Sequence, residues 1–317
     1  MRAVFLDTES LDRDDLDRSP LEASAPQWTF HGATAPEEVP GRIAEAEVVV
    51  SNKVPLGREA IAGAPHLRLI CIAATGTNNV DLEAAREQGV AVTNVTGYAT
   101  PSVVQHVFAL ILALTTRLPE YSAAARSGRW SESPYFCLLD FPIRELSGRT
   151  LGVVGHGELG GNVARVAEAF GMQVRIAQVP GRPERPDRTP LDRLLPEVDI
   201  LTLHCPLTPE TRDLLDGERL ARMRPDGLLV NTARGGIVNE RALAEALRGG
   251  ALGGAGVDVL SQEPPPRDNP LLAPDIPNLI VTPHVAWASR QARQRMVDGL
   301  AANIRAFGEG QARNRVV

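Results

Sequence analysis

Three segments, NTARGG, DVLSQEPP and VTPHVAW, place Arg234, Glu263 and His284 each at the end of a strand-like run. A guanidinium, a carboxylate and an imidazole can together bind a carboxylate substrate and deliver a proton to its neighbouring carbonyl. Hydride addition to a ketone builds negative charge on the carbonyl oxygen, so a proton donor and a fixed positive charge belong beside that oxygen. In that division of labour His284 gives or takes the proton. Glu263, bonded to the far ring nitrogen, orients the imidazole and favours its charged form. Arg234 grips the substrate carboxylate with its planar fork of donors and polarises the carbonyl. Each residue also has a blander reading: His284 as a turn cap, Glu263 as a loop charge before three prolines, Arg234 as the partner of a surface acid. Their order on successive strand ends argues for one shared site.

Upstream, Gly155, Gly157 and Gly160 stand in G-H-G-E-L-G, between the apolar run TLGVV and the helical stretch VARVAEAF. Strand, turn and helix are the context that makes this spacing a dinucleotide fingerprint. Gly155 permits the tight turn, Gly157 lets the backbone approach a pyrophosphate, and Gly160 allows close helix packing, with Glu158 and Leu159 completing the turn. The helix start offers N–H groups and a positive dipole end to phosphates. His156 reads as solvent-facing. The next strand, MQVRIAQ, ends in Gln178, where an NAD-preferring fingerprint expects Asp or Glu. A neutral amide can bond ribose hydroxyls without repelling a 2′-phosphate. Arg182 or Arg185 in VPGRPERP could pair with that phosphate or stand merely solvated. The expected cofactor is NAD(P)H, with the choice between NADH and NADPH open.

These residues need a scaffold of parallel strands. RAVFLD, EVVVSN, LRLICIAAT and VAVTNV alternate with polar or helical stretches, and a second set runs from TLGVVGH through MQVRIAQ, VDILTLHC, DGLLVNTA and GAGVDVL to NLIVTPH. Such alternation predicts α/β architecture with two doubly wound parallel sheets. The last segment, ASRQARQRMVDGLAANIRAFGEG, has helical spacing with Met296, Leu300 and Ile304 on one face. The longest apolar stretch, VVQHVFALILALTT, is broken by Gln105 and His106 and is too short to span a bilayer.

Composition narrows the class. The chain has 317 residues, 43% hydrophobic and 23% charged, which suits two ordinary globular domains. A net charge of −6 gives no attraction to nucleic acid or to an anionic membrane. Cys71, Cys137 and Cys205 are odd in number and lack CxxC spacing, so neither a disulfide framework nor a metal site is expected. With no secretory signal at the start, a reduced cytoplasmic protein is expected. Lys53 is the sole lysine.

The order and wording of these segments resemble the D-isomer-specific 2-hydroxyacid dehydrogenase family over nearly the whole chain. GYATPSVVQHVFALILAL, SPYFCLLDFPIREL and GELGGNVARVAEAFGM are most similar to its glycerate dehydrogenase (hydroxypyruvate reductase) subgroup. The resemblance implies a flavodoxin-like substrate domain, residues 1–98 plus 287–317, around a Rossmann NAD(P)-binding domain, residues 99–286, with the site in a cleft and hinges near Thr100, Pro101 and Trp287. It assigns the same roles to Arg234, Glu263 and His284. It adds His204, Cys205, Pro206 and Leu207 as a loop over the cofactor, Thr232 and Ala233 beside it, and Asp258 as the partner of the nicotinamide carboxamide. On the substrate side it implies backbone N–H groups near Ala74, Thr75 and Gly76. Asn52 and Lys53 stand on an adjacent loop, and Trp287 is either a pocket wall or a packing residue. His31, His66 and His106 have no such company and read as structural or surface groups, as does the His204 side chain.

The implied activity is hydride transfer between NAD(P)H and a small 2-oxo or 2-hydroxy acid, hydroxypyruvate/D-glycerate first and glyoxylate next. The partner is thus a small molecule, and a homodimer built through the cofactor domain, with the VVQHVFALILAL helix contributing, is expected. The alternatives are D-lactate or phosphoglycerate oxidation, and a nucleotide-sensing corepressor-like binding protein. The chain carries no regulatory segment after Val317, which speaks against the longer phosphoglycerate enzymes, and no basic patch, which speaks against a corepressor.

Overall fold

Most strands are short apolar runs buried along their whole length, as in VVVS, LICI, ILTL and LLVN. That pattern belongs to parallel sheets covered by helices on both faces. The computed structural model describes residues Met1–Val317 and contains eleven strands in two sheets. The first sheet comprises β1 (Arg2–Phe5), β2 (Gln27–Phe30), β3 (Val48–Ser51), β4 (Leu69–Ile72) and β5 (Ala91–Thr93). The second comprises β6 (Thr150–Val154), β7 (Gln173–Ala177), β8 (Ile200–Leu203), β9 (Leu228–Asn231), β10 (Gly254–Val257) and β11 (Leu279–Val281). Five of the helices bear on the site and its scaffold: α1 (Thr100–Thr116), α2 (Leu118–Arg126), α3 (Glu158–Ala169), α4 (Glu240–Arg248) and α5 (Arg290–Gly308).

Two compact units result, Met1–Thr100 with Trp287–Val317 and Pro101–Ala286. In the first, all strands pair parallel in the order β2-β1-β3-β4-β5, the flavodoxin-like order. Helix α5 covers one face, burying Met296, Leu300 and Ile304 completely among Phe5, Val48, Val50 and Leu69. Each such side chain contributes roughly 1.5–3 kcal/mol by its removal from water. The final residues close on the edge of β5, where Arg315 bridges Thr93 antiparallel and the Val316 N–H donates to Val92 O at 2.7 Å. An otherwise open sheet edge is thereby paired.

The second unit is a parallel sheet in the order β11-β10-β9-β8-β6-β7, so the winding reverses between β6 and β8. In doubly wound sheets ligands bind beyond the carboxyl ends of the strands at such a reversal. Those ends carry Gly155 and His204. No strand lies outside β7, where the classical six-strand order continues. Helix α1 is buried through Val107, Ile111, Phe108 and Leu110. Most of the exposed large apolar side chains lie just beyond it, in α2 and the loop after that helix: Leu118, Trp130, Tyr135, Phe136, Leu139 and Ile143. No single helix is long and apolar enough to cross a membrane.

Candidate active site

At the reversal of the second sheet, the three glycines have separate physical requirements. Gly155 adopts φ +93°, and a Cβ there would lie 2.6 Å from the carbonyl carbon of His204. A Cβ on Gly160 would lie 2.0 Å from the Gly155 oxygen, so α3 packs on the turn only because residue 160 has no side chain. Gly157 faces open space, with nothing within 4 Å of its Cβ position. It is also the N-cap of α3 and brings no side-chain acceptor to the first turn. A cradle closed on two sides and open on the third, under a helix N-terminus, fits a pyrophosphate. His156 is solvent-exposed.

Two buried polar atoms at the ends of neighbouring strands have no partner in the chain, His204 Nδ1 after β8 and Thr232 Oγ1 after β9. His204 is bonded through Nε2 to Thr202 Oγ1 at 2.9 Å, and burial pushes its imidazole down to about 4, so it is neutral at ordinary pH. Buried polar groups are rarely left unsatisfied. His204 stands against the glycine turn and Thr232 follows β9, two strands away on the same sheet, and unpaired polar atoms there suit a polar ligand. Cys205 is buried, with its thiol pushed up to about 11, and Cys71 is pushed up to about 12, also by burial. Neither behaves as a nucleophile. All three cysteines are free, and no cluster of His, Cys, Asp or Glu could hold a metal ion.

Beyond β7, the Gln178 amide nitrogen turns back on its own loop, within reach of the carbonyls of Val179 (3.2 Å), Arg182 (3.0 Å) and Pro183 (3.1 Å). Only its oxygen is left to face a ligand, as an acceptor. Arg185 pairs with Asp187 at 3.2 Å, whereas Arg182 is exposed.

The proposed chemistry gathers at the ends of β9, β10 and β11. The Arg234 turn is drawn tight by Asn231, whose Nδ2 donates to Arg234 O at 3.0 Å and whose Oδ1 accepts from Ala233 N at 3.1 Å. Next to it, a Cβ on Gly235 would fall 1.9 Å from Leu260 O, so this glycine lets the Arg234 turn abut the segment that leads to Glu263. One carboxylate oxygen of Glu263 accepts the Leu260 N–H at 2.9 Å, and the other lies 2.6 Å from His284 Nδ1. The pair is partly exposed, 36% for Glu263 and 27% for His284. With Nδ1 turned to the carboxylate, Nε2 is the ring atom left for a substrate.

His284 itself has φ +53°, a left-handed conformation uncommon outside glycine. Its backbone N–H donates to Asp258 O at 2.8 Å. The Asp258 side chain, 1% exposed, accepts from Val285 N and Ala286 N at 2.9 Å each and from Thr282 Oγ1 at 2.5 Å. His106, read from sequence as a histidine without company, has it: its Nε2 lies 3.0 Å from Thr282 Oγ1.

In the first unit, Asn52 is buried and its Nδ2 donates to Ser10 Oγ at 3.0 Å. Asp7, not singled out in the sequence, accepts the backbone N–H groups of Asn52 (2.9 Å) and Lys53 (2.7 Å) at the point where this sheet's winding reverses. Ala74, Thr75 and Gly76 follow β4, with the carbonyls of Ala74 and Thr75 taken by Val95 N and Asn94 Nδ2. Trp287 packs edge-on against Tyr98, ring centroids 6.4 Å apart. Asp7 and Asn231 had a faint signal, a small polar residue at or just past the end of an apolar strand. His106 had none.

A family model described as D-isomer specific 2-hydroxyacid dehydrogenase, NAD binding domain, matches residues 108–286. The chain belongs to this family. Among the relatives within it, a glycerate dehydrogenase of Methylorubrum extorquens is 43% identical over 317 residues, spanning 99% of this chain and 98% of the relative. A hydroxypyruvate reductase of Blautia hydrogenotrophica is 36% identical, spanning 100% and 99%. A crystal structure of a Thermus thermophilus protein superposes with a TM-score of 0.87 at 37% identity, covering both chains fully. This member of the 2-hydroxyacid dehydrogenase family is therefore an oxidoreductase acting on a CH–OH group with a nicotinamide cofactor, and residues 108–286 match its NAD binding domain.

Proposed function

We propose that this enzyme reduces hydroxypyruvate to D-glycerate, and glyoxylate to its hydroxy acid, with NADH or NADPH as donor. The observation that carries the chemistry is the Glu263–His284 pair at 2.6 Å, anchored from behind by the Leu260 N–H and set beside the Arg234 turn. The choice of substrate is supported by the names of the relatives, a glycerate dehydrogenase and a hydroxypyruvate reductase.

In this reading a nicotinamide cofactor, when bound, would supply a hydride to the carbonyl carbon. His284 gives the proton from Nε2 to the carbonyl oxygen and takes it back in oxidation. Glu263 holds the ring and balances the charge it carries before transfer. Arg234 binds the carboxylate and stabilises the developing oxyanion. Gly155, Gly157, Glu158, Leu159 and Gly160 would hold the pyrophosphate. His204, Cys205, Pro206, Thr232 and Ala233 would line the dinucleotide, and Asp258 would accept from the carboxamide. Gln178 would accept from a ribose hydroxyl, and Arg182 would meet a 2′-phosphate. The unit Met1–Thr100 with Trp287–Val317 is the substrate domain, with Asn52, Ala74, Thr75, Gly76 and Trp287 on the substrate side.

The enzyme works in the cytoplasm as a homodimer joined through the nucleotide-binding unit. Supporting the dimer is the apolar strip after α1, where Phe136 is 91% and Leu139 86% exposed. Apolar patches of this kind mark interfaces, and this one adjoins α1, whose Gln105 and Ala109 are exposed and which contributes to the same interface. Initial rates on hydroxypyruvate, glyoxylate, pyruvate and phosphohydroxypyruvate with each cofactor test the reading. Hydroxypyruvate should have the highest kcat/KM; turnover with none of the four would overturn it. Sedimentation at micromolar concentration should give a dimer.

A further inference from the structure

One face of α1 follows the strand ends behind His284. Ser102, His106 and Leu110 are spaced four residues apart and so lie along one line of the helix. Ser102 Oγ donates to Ala286 O at 2.7 Å, His106 Nε2 meets Thr282 Oγ1 at 3.0 Å, and Leu110 Cβ lies 3.0 Å from where a Gly256 Cβ would be. The absent side chain at Gly256, two residues before Asp258, lets the helix approach closely enough for His106 to reach the β11 end.

The hydrogens in this chain of contacts are assigned by counting. A threonine hydroxyl has one proton, and Thr282 spends it on Asp258 Oδ1, which can only accept. Thr282 Oγ1 must therefore accept from His106, which fixes His106 as the Nε2–H donor. The order His–Thr–Asp is not that of a nucleophile, because the hydroxyl proton points at the carboxylate and no base removes it. Asp258 is thus held on one oxygen by Thr282 and Val285 N, with His106 Nε2 itself 3.5 Å from that oxygen, and on the other by Ala286 N. The two backbone groups it grips are those immediately after His284, whose left-handed conformation a free loop would not keep.

We propose that His106 is a positioning residue for His284: through the Thr282 hydroxyl it locks the Asp258 carboxylate, which clamps residues 285 and 286 and so aims the imidazole of His284. The proposal rests on the reading of His284 as the proton donor. Misplacing an acid by a fraction of an ångström lowers the rate of the chemical step without weakening cofactor binding.

The test uses the purified enzyme with hydroxypyruvate and NADH, reading kcat, KM and, by NADH fluorescence, the cofactor dissociation constant. His106→Ala should lower kcat about ten-fold and leave NADH affinity within about two-fold. His106→Gln, which restores an N–H at the Nε2 position, should recover most of the rate. Thr282→Val should lower kcat as His106→Ala does, and the double variant should lose less than the two single losses combined, because both residues act on the same Asp258 oxygen. In a His284→Ala background His106→Ala should have no further effect. An unchanged kcat in both His106→Ala and Thr282→Val, or a loss confined to NADH affinity, or additive losses in the double variant, would each overturn the proposal. High turnover in His284→Ala would instead defeat the underlying reading of the acid, which keeps the two failures apart. If His106→Ala does not fold, His106→Gln and Thr282→Val decide by the same criteria.

Discussion

At the β11 end of the second sheet, His284 is fixed by the Glu263 carboxylate on its ring, Asp258 O on its own N–H, and the Asp258 side chain on the next two residues. At the β7 end, Gln178 is fixed by one amide nitrogen on three carbonyls of an exposed loop, with an exposed arginine nearby. The first arrangement uses charged acceptors, a partly exposed one in Glu263 and a buried one in Asp258. The second is exposed and neutral. A proton donor must be aimed to tenths of an ångström, whereas a ribose or phosphate contact tolerates looseness. Reaction chemistry should therefore be brittle to substitution, and cofactor choice pliable.

The contrast is sharpest at His284. His284→Ala should lower kcat for reduction by about 10²-fold or more with NADH affinity nearly unchanged, measured by steady-state rates and fluorescence titration. Near wild-type turnover would remove the brittle end of the comparison altogether.

Between the two ends sits His204, whose imidazole is held near 4 by burial, below its ordinary 6.5. Between those pH values the unfolded chain binds a proton that the folded chain does not, so stability falls as pH drops from 6.5 towards 4. The loss should total about 3 kcal/mol for this one group. Thermal unfolding of His204→Gln across that range should show a shallower acid slope than the wild type. Parallel slopes would mean that the site is wet rather than closed.

Arg234→Lys keeps the charge and loses the planar fork, so KM for hydroxypyruvate should rise and kcat fall, together costing about ten-fold in kcat/KM. Unaltered kinetics would place Arg234 away from the substrate. The mildest change is expected at the pliable end. Gln178→Asp adds a negative charge and removes the amide that ties down the loop, so the ratio of kcat/KM for NADH to that for NADPH should rise by several-fold, by about 1 kcal/mol. A ratio that does not move would show that the ribose end is not read at Gln178.

Much of this was legible in the sequence because it is local. The glycine turn needs its glycines within six residues, ten of the eleven strands announce themselves as strand-like runs, and Arg234, Glu263 and His284 each follow one; β2, the edge strand QWTF, was missed because its residues alternate between exposed and half-buried and form no apolar run. The parallel pairing of both sheets is likewise what alternating strands and crossovers produce, whereas the strand orders were implied by the family resemblance. His106 was illegible because it sits in a largely apolar run; its partner Thr282 lies 176 residues away and meets it only when α1 packs on Gly256. Gln178 was legible as a neutral residue but not as a latch, since its three acceptors are backbone carbonyls that any sequence would provide. Much of the apolar pattern of α1 records burial within its own unit, through Val107, Phe108, Leu110 and Ile111, a packing that the run of apolar residues does not by itself distinguish from an interface.

The order of the chain has a consequence for how the protein is made. Helix α5 and the tail on β5 belong to the first unit, yet they are synthesised after the whole of Pro101–Ala286. At the usual pace of translation the five N-terminal strands wait roughly ten to forty seconds with the face of Phe5, Val48, Val50 and Leu69 uncovered. The unit Pro101–Ala286 is contiguous and can complete its own core on the ribosome. The first unit can only finish last, so in a growing chain the half that starts earliest is the half most in need of a chaperone.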